Sequence, residues 1–130
     1  MSRFIVFLVA LLLGSFSQLV ISQQVTDPEM MALSFNDLEA RSMEDGRNVR
    51  RIDASTVGLI RVEWPMGTST TPHNHANELV LTLIEGRLRA ISGSREFVLE
   101  PGDVVVIPAW VEHSYVALED SVTLEAAGPG

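Results

Sequence analysis

The chain has no cysteine. That excludes disulfides, thiolate metal ligands and a cysteine nucleophile, so any metal bound here must be held by nitrogen and oxygen donors. Histidine is scarce: the 130 residues contain three, His73, His75 and His113. Basic side chains are also in short supply, nine against seventeen acidic ones, for a net charge of −8. An acidic surface repels phosphate backbones, so no nucleic-acid partner is expected. There is no internal repeat and no sign of a second domain, and the length suits a single apolar core.

What is present begins with a targeting segment. Met1 to Ser22 reads as a signal peptide, with Arg3 as its positive start and Phe4 to Leu13 as an unbroken apolar run. Cleavage is expected between Ser22 and Gln23, leaving a mature chain of about 108 residues, a common domain size. A secreted or periplasmic protein follows from this reading. The alternative is an uncleaved membrane anchor, because Phe4 to Ile21 nearly reaches the roughly 20 residues that span a bilayer. Residues 23–46 then read as an N-terminal extension and 47–128 as the folded domain. Ser34 to Arg41 is expected as a short helix or turn capped by Ser34 or Asn36.

From there on, glycine and proline punctuate the chain at short intervals, as expected for short strands and tight turns. Strands are expected at 48–53, 57–64, 87–92, 96–100, 104–107, 113–118 and 122–126. In the second of these, Ile60, Val62 and Trp64 share one face. Val104 to Ile107 is all β-branched, the pattern of a strand buried on both sides. His73 to Ile84 reads as the longest strand. There His73, His75, Leu79, Leu81 and Leu83 have one parity, while Glu78 has the other. The fold class is therefore all-β: a jelly-roll barrel of about eight antiparallel strands.

His73 and His75, two apart on a strand, would present both imidazoles to one side. Neutral imidazoles in such a pair hold a divalent ion well, and His113 is the one remaining candidate to join them. The bland alternative is three ordinary polar strand residues.

These residues resemble a known family, the cupins, which are small metal-binding β-barrels. Gly67, His73, His75 and Gly86 match its first motif, and Gly102, Pro108 and His113 match its second. The resemblance covers residues 57–126 and is closest to small single-domain cupins of the type 2 or quercetinase-like kind. It departs from the family at Trp110, where a glycine is usual, and at Ala117, where asparagine is. Leu79 occupies the usual third-ligand slot, with Glu78 one residue earlier. A β-bulge near Ala76 and Asn77 would be needed to turn Glu78 inward as a ligand or catalytic base; otherwise it is a solvated strand residue.

The resemblance implies one divalent metal ion held by His73, His75 and His113: iron, manganese, nickel, copper or zinc. It implies a pocket lined by Leu79, Leu81, Tyr115 and Trp110, the last as a possible lid, and a small-molecule ligand or substrate. A homodimer is also implied. The function expected is that of an exported metal-binding cupin acting on a small oxygen-rich molecule, with dioxygenase-like oxidation as the specific form. The alternatives are a non-catalytic, metal-dependent binding module for a sugar or uronate, a sugar isomerase-type cupin, and a storage or cell-wall role.

Overall fold

The structure is a computed structural model that describes residues 23–24 and 29–128. The expected signal peptide, Met1 to Ser22, lies outside the described residues. Turn chemistry divides the rest into ten short strands. These are β1 (Gln23–Gln24), β2 (Arg41–Ser42), β3 (Asn48–Asp53), β4 (Gly58–Trp64) and β5 (Leu79–Glu85). They continue with β6 (Leu88–Ser92), β7 (Arg95–Leu99), β8 (Val104–Ile107), β9 (Ser114–Ala117) and β10 (Ser121–Ala127). The short helical piece expected near Ser34 is a single 3-10 turn, Phe35–Asp37, whose first free N–H, that of Asn36, is accepted by the Ser34 hydroxyl.

The strands form two sheets. The larger runs β1-β3-β4-β10-β5-β8, with β2 also paired to β3; the smaller runs β7-β6-β9. All pairings are antiparallel except that of β1 with β3. The fold is thus the all-β jelly roll expected from the spacing of strands and turns. Residues 23–46 supply β1 and β2, so part of the extension is built into the larger sheet.

Alternation decides the core. Val62 and Trp64 on β4, Leu79, Leu81 and Leu83 on β5, Leu88 and Ala90 on β6, and Tyr115 and Ala117 on β9 meet between the sheets. Gly86 sits at φ +87 in the β5–β6 turn, where a side chain would collide with the Asp120 carbonyl and with Ser121. Only glycine combines that backbone angle with so close an approach.

Two strand expectations are corrected. The strand after His73 starts at Leu79, not at His73. Before it the backbone bonds to the 110–113 segment instead: His73 and His113 form an isolated antiparallel bridge, and the Trp110 N–H donates to the His75 carbonyl at 2.8 Å. Val104 to Ile107 is not buried on both faces. β8 is the edge of the larger sheet, with Val104 and Val106 56 % and 54 % exposed on its outer side while Ile107 is buried. A run of β-branched residues identifies a strand but not how many of its faces are covered.

Candidate metal centre and its cavity

The histidines come from two places. His73 and His75 lie in the loop leading into β5, and His113 directly precedes β9. Reciprocal backbone bonds between His73 and His113, at 3.0 and 2.9 Å, fasten those two positions together. One nitrogen from each of the three rings lies within 4.8 Å of the other two. Ring centroids are 4.4 Å apart for His73 and His113, 4.8 Å for His75 and His113, and 6.0 Å for His73 and His75.

The donor set fits a metal ion. Each Nδ1 is 2.8 Å from a backbone carbonyl two residues away: Thr71 for His73, Asn77 for His75, Val111 for His113. A carbonyl only accepts, so Nδ1 carries the proton, and in the neutral ring Nε2 keeps its lone pair. His113 Nε2 is buried and has no hydrogen-bond partner. A lone pair left unsatisfied in the interior is costly unless something binds it. Burial, and then the neighbouring His73 and His75, push the His113 imidazolium below its usual range, although the Val111 carbonyl works the other way. The ring is thereby kept neutral, the form that binds metal.

The trio lines a cavity of about 280 Å³, with Arg47, Arg51, Asn77, Leu79, Tyr115 and Glu125 around it. A wider cleft of about 720 Å³ opens between β7 and β8 and also reaches His113 and Tyr115. Leu79 and Tyr115 line the smaller space, and Tyr115 the wider cleft as well. Leu81 does not; it is fully buried in the core and lines neither space. Trp110 also lines neither space. The residue is 67 % exposed, and what ties it to the site is its backbone N–H on the His75 carbonyl. Trp110 holds φ +63, a left-handed conformation that favours glycine, at the position where the motif has one. Glu78 is exposed, immediately before β5, and its carboxylate is not part of the histidine cluster. No bulge turns it inward, and Leu79 takes the inward place.

Sequence reasoning missed Glu125. It lies on β10 with its carboxyl enclosed, and burial raises its pKa from the ordinary 4.5 to about 7, although the Thr123 hydroxyl pulls the other way. Arg47 and Arg51 were missed as cavity residues too. Each has its own carboxylate: Arg47 bonds Asp45 and holds it below the usual range, and Arg51 Nε lies 2.7 Å from Asp53. The signal for Glu125 was an acid in an otherwise apolar strand. Val122, Leu124 and Ala126 concealed it by looking like the core face.

A small β-barrel whose loops bring three imidazoles to one cavity defines a class of protein: barrels with a histidine cluster that could hold a metal ion. More particularly, the chain belongs to the Cupin domain family, whose model matches residues 60–126. Among solved structures it is similar to KdgF from a Halomonas species: 23% identity, TM-score 0.68, covering 73% of this chain and 91% of that one. It is also similar to an RmlC-like cupin from Shewanella frigidimarina: 17% identity, TM-score 0.71, covering 78% and 92%. A third is a mutant salicylate 1,2-dioxygenase from Pseudoaminobacter salicylatoxidans: 21% identity, TM-score 0.64, covering 71% of this chain and 28% of that one. At such identities the likeness is one of fold. No curated protein matches the chain in sequence.

Proposed function

We propose that this cupin holds one divalent metal ion on His73, His75 and His113 and acts through it as an enzyme on a small oxygen-rich molecule. The observation that carries this reading is the buried, partnerless Nε2 of His113, within reach of two further imidazoles whose tautomers are fixed the same way. The ion would be iron, manganese, nickel, copper or zinc, and would supply Lewis-acid chemistry or, if redox-active, dioxygenase-like oxidation. The chain's own contribution is to orient the three rings, to exclude water through Leu79 and Tyr115, and to hold a proton on Glu125. Metal analysis of protein purified from its native compartment tests the reading. About one equivalent per chain is expected, falling below a tenth in His113→Ala; a metal-free wild type refutes it. Oxygen uptake with flavonols and diketones then separates oxidation from other chemistry.

The second reading is a non-catalytic binding module for a sugar or uronate. It is favoured by Glu78 being absent from the cluster, which leaves no carboxylate among the three candidate ligands. Binding of glucuronate without any turnover would support it. Export to the periplasm or beyond belongs to the same proposal, on the strength of Arg3 and the apolar run after it, and a mature N-terminus at Gln23 by mass spectrometry tests it. So does a homodimer, for which the apolar outer face around Val80, Ile84, Val104 and Val106 is the supporting feature. Light scattering decides it, a monomer counting against.

A further inference from the structure

Glu125 is the single acid among the described residues that line the histidine cavity. Its strand is inverted in polarity: Ser121, Thr123 and Glu125 are buried, while Val122, Leu124 and Ala126 face outward and are half-buried. The one side-chain hydrogen bond of Glu125 comes from the Thr123 hydroxyl at 3.2 Å, and that hydroxyl in turn accepts from Trp64 Nε1 at 3.0 Å. The cations nearby are engaged elsewhere. Arg47 bonds Asp45 and lies 4.9 Å over the Trp64 ring; Arg51 bonds Asp53 and the Gly128 carbonyl. Beside it Tyr115 stacks edge-on between His113, at 5.5 Å, and Trp64, at 5.6 Å, and its buried hydroxyl has no partner. An acid without a counter-ion and a phenol without a partner, facing one cavity with three metal-competent imidazoles, form a polar subsite built for a ligand.

We propose that Glu125 is the proton-transferring group of this cavity and that the ligand it serves is a small α-hydroxy carbonyl compound of the ketose or hydroxy-oxo-acid kind. The inference rests on the reading that the three histidines hold a metal. Three nitrogen donors would leave a metal coordination positions that two neighbouring substrate oxygens fill well. The Tyr115 hydroxyl donates to one substrate oxygen. The Glu125 carboxylate accepts a proton from the carbon between hydroxyl and carbonyl. The electron pair of that C–H bond becomes the C=C bond of an enediolate, and the carbonyl π pair moves onto its oxygen. The carboxylic acid exchanges its proton with solvent and returns one to the same carbon, as the electron pair on oxygen re-forms the carbonyl. No electrons enter or leave, and no co-reactant is consumed.

The titratable and charged groups that share the cavity with Glu125 are Arg47 and Arg51 from the β3 side, Tyr115 and His113 from the β9 side, and His73 and His75 from the loop before β5. The flanking inward positions on β4 and β5, Ile60 and Leu81, are apolar and uncharged.

The test is deuterium incorporation into dihydroxyacetone and hydroxypyruvate in D2O, read by proton NMR, with full-length zinc-loaded protein. Wild type is expected to exchange. Glu125→Gln should lose at least a hundredfold in rate at full zinc content, the lower end of what a positioned acid–base contributes, and Glu125→Asp should restore part of it. A second readout does not depend on turnover. In infrared difference spectra dihydroxyacetone should perturb a side-chain carboxyl or carboxylate band of the wild type, and Glu125→Gln should lack that band. Wild-type protein that holds zinc but exchanges neither probe overturns the inference, as does Glu125→Gln exchanging at the wild-type rate. Protein that holds no zinc fails at the earlier step and is recognised by its metal content.

Discussion

Each imidazole is aimed by its own stretch of backbone, because the carbonyl that holds Nδ1 is two residues away in all three cases. Such partners fix ring and tautomer before any metal arrives. His113→Ala should therefore weaken zinc binding by at least a hundredfold in calorimetric titration, leaving two ligands where there were three. Glu125 gives a pH signature. Its pKa is raised by burial to about 7 in the folded chain from 4.5. Between those values the folded protein keeps its proton while the unfolded chain gives it up. The stability that depends on the proton is complete below about pH 4.5 and is lost as pH rises through about 7. Glu125→Gln has nothing to lose, so its stability relative to wild type should grow between pH 4 and pH 8 by on the order of 3 kcal/mol, at about 1.4 kcal/mol per pKa unit. Denaturant midpoints at the two pH values check this. At this scale the three clustered histidines were legible because histidine is so scarce. Glu125 was not, since an acid in a strand says nothing about which face is inward.

Among the elements, the order of strands could be read from turn residues and alternation, and two things could not. One was the length of β5: alternation runs unbroken from His73 to Ile84, but hydrogen bonding to the 110–113 segment claims the first residues for a loop. The other was the polarity of β10, where the apolar set faces outward. Both depend on partners far away in the chain, which local pattern does not contain. The turns are firmer ground. Gly86→Ala would place a methyl group against the Asp120 carbonyl and Ser121 at a φ of +87, so it should destabilise by about 3 kcal/mol. Chemical denaturation measures this. Trp110 is the converse case. The left-handed backbone costs a non-glycine residue about 1 kcal/mol, and Trp110 is largely exposed. Glycine there would regain that cost but give back part of it as unfolded-chain entropy. Trp110→Gly should thus be more stable than wild type by about 0.5 kcal/mol; a loss of stability would mean that the indole packs against something in solution.

For the molecule as a whole, the position of the histidines makes a bound ion a tie between the two sheets. His73 and His75 lead into β5 of the larger sheet, and His113 leads into β9 of the smaller one. The backbone bridge between His73 and His113 already joins these segments, so the ion would close a loop of structure that exists without it. The core of Trp64, Leu81, Leu83 and Leu88 includes none of the three histidines, so the barrel is expected to fold without an ion. The metal should accordingly raise stability by mass action alone. At a free zinc concentration a hundred times the dissociation constant the gain is about 2.7 kcal/mol. For a domain of this size that amounts to a rise of about 10–20 °C in Tm. Chelation should reverse the rise without unfolding the protein at room temperature, and His113→Ala should melt at the same temperature with and without zinc. A metal-free chain that is already unfolded would show that the core cannot hold the sheets together. An unchanged Tm across the zinc titration would show that the three imidazoles hold no ion.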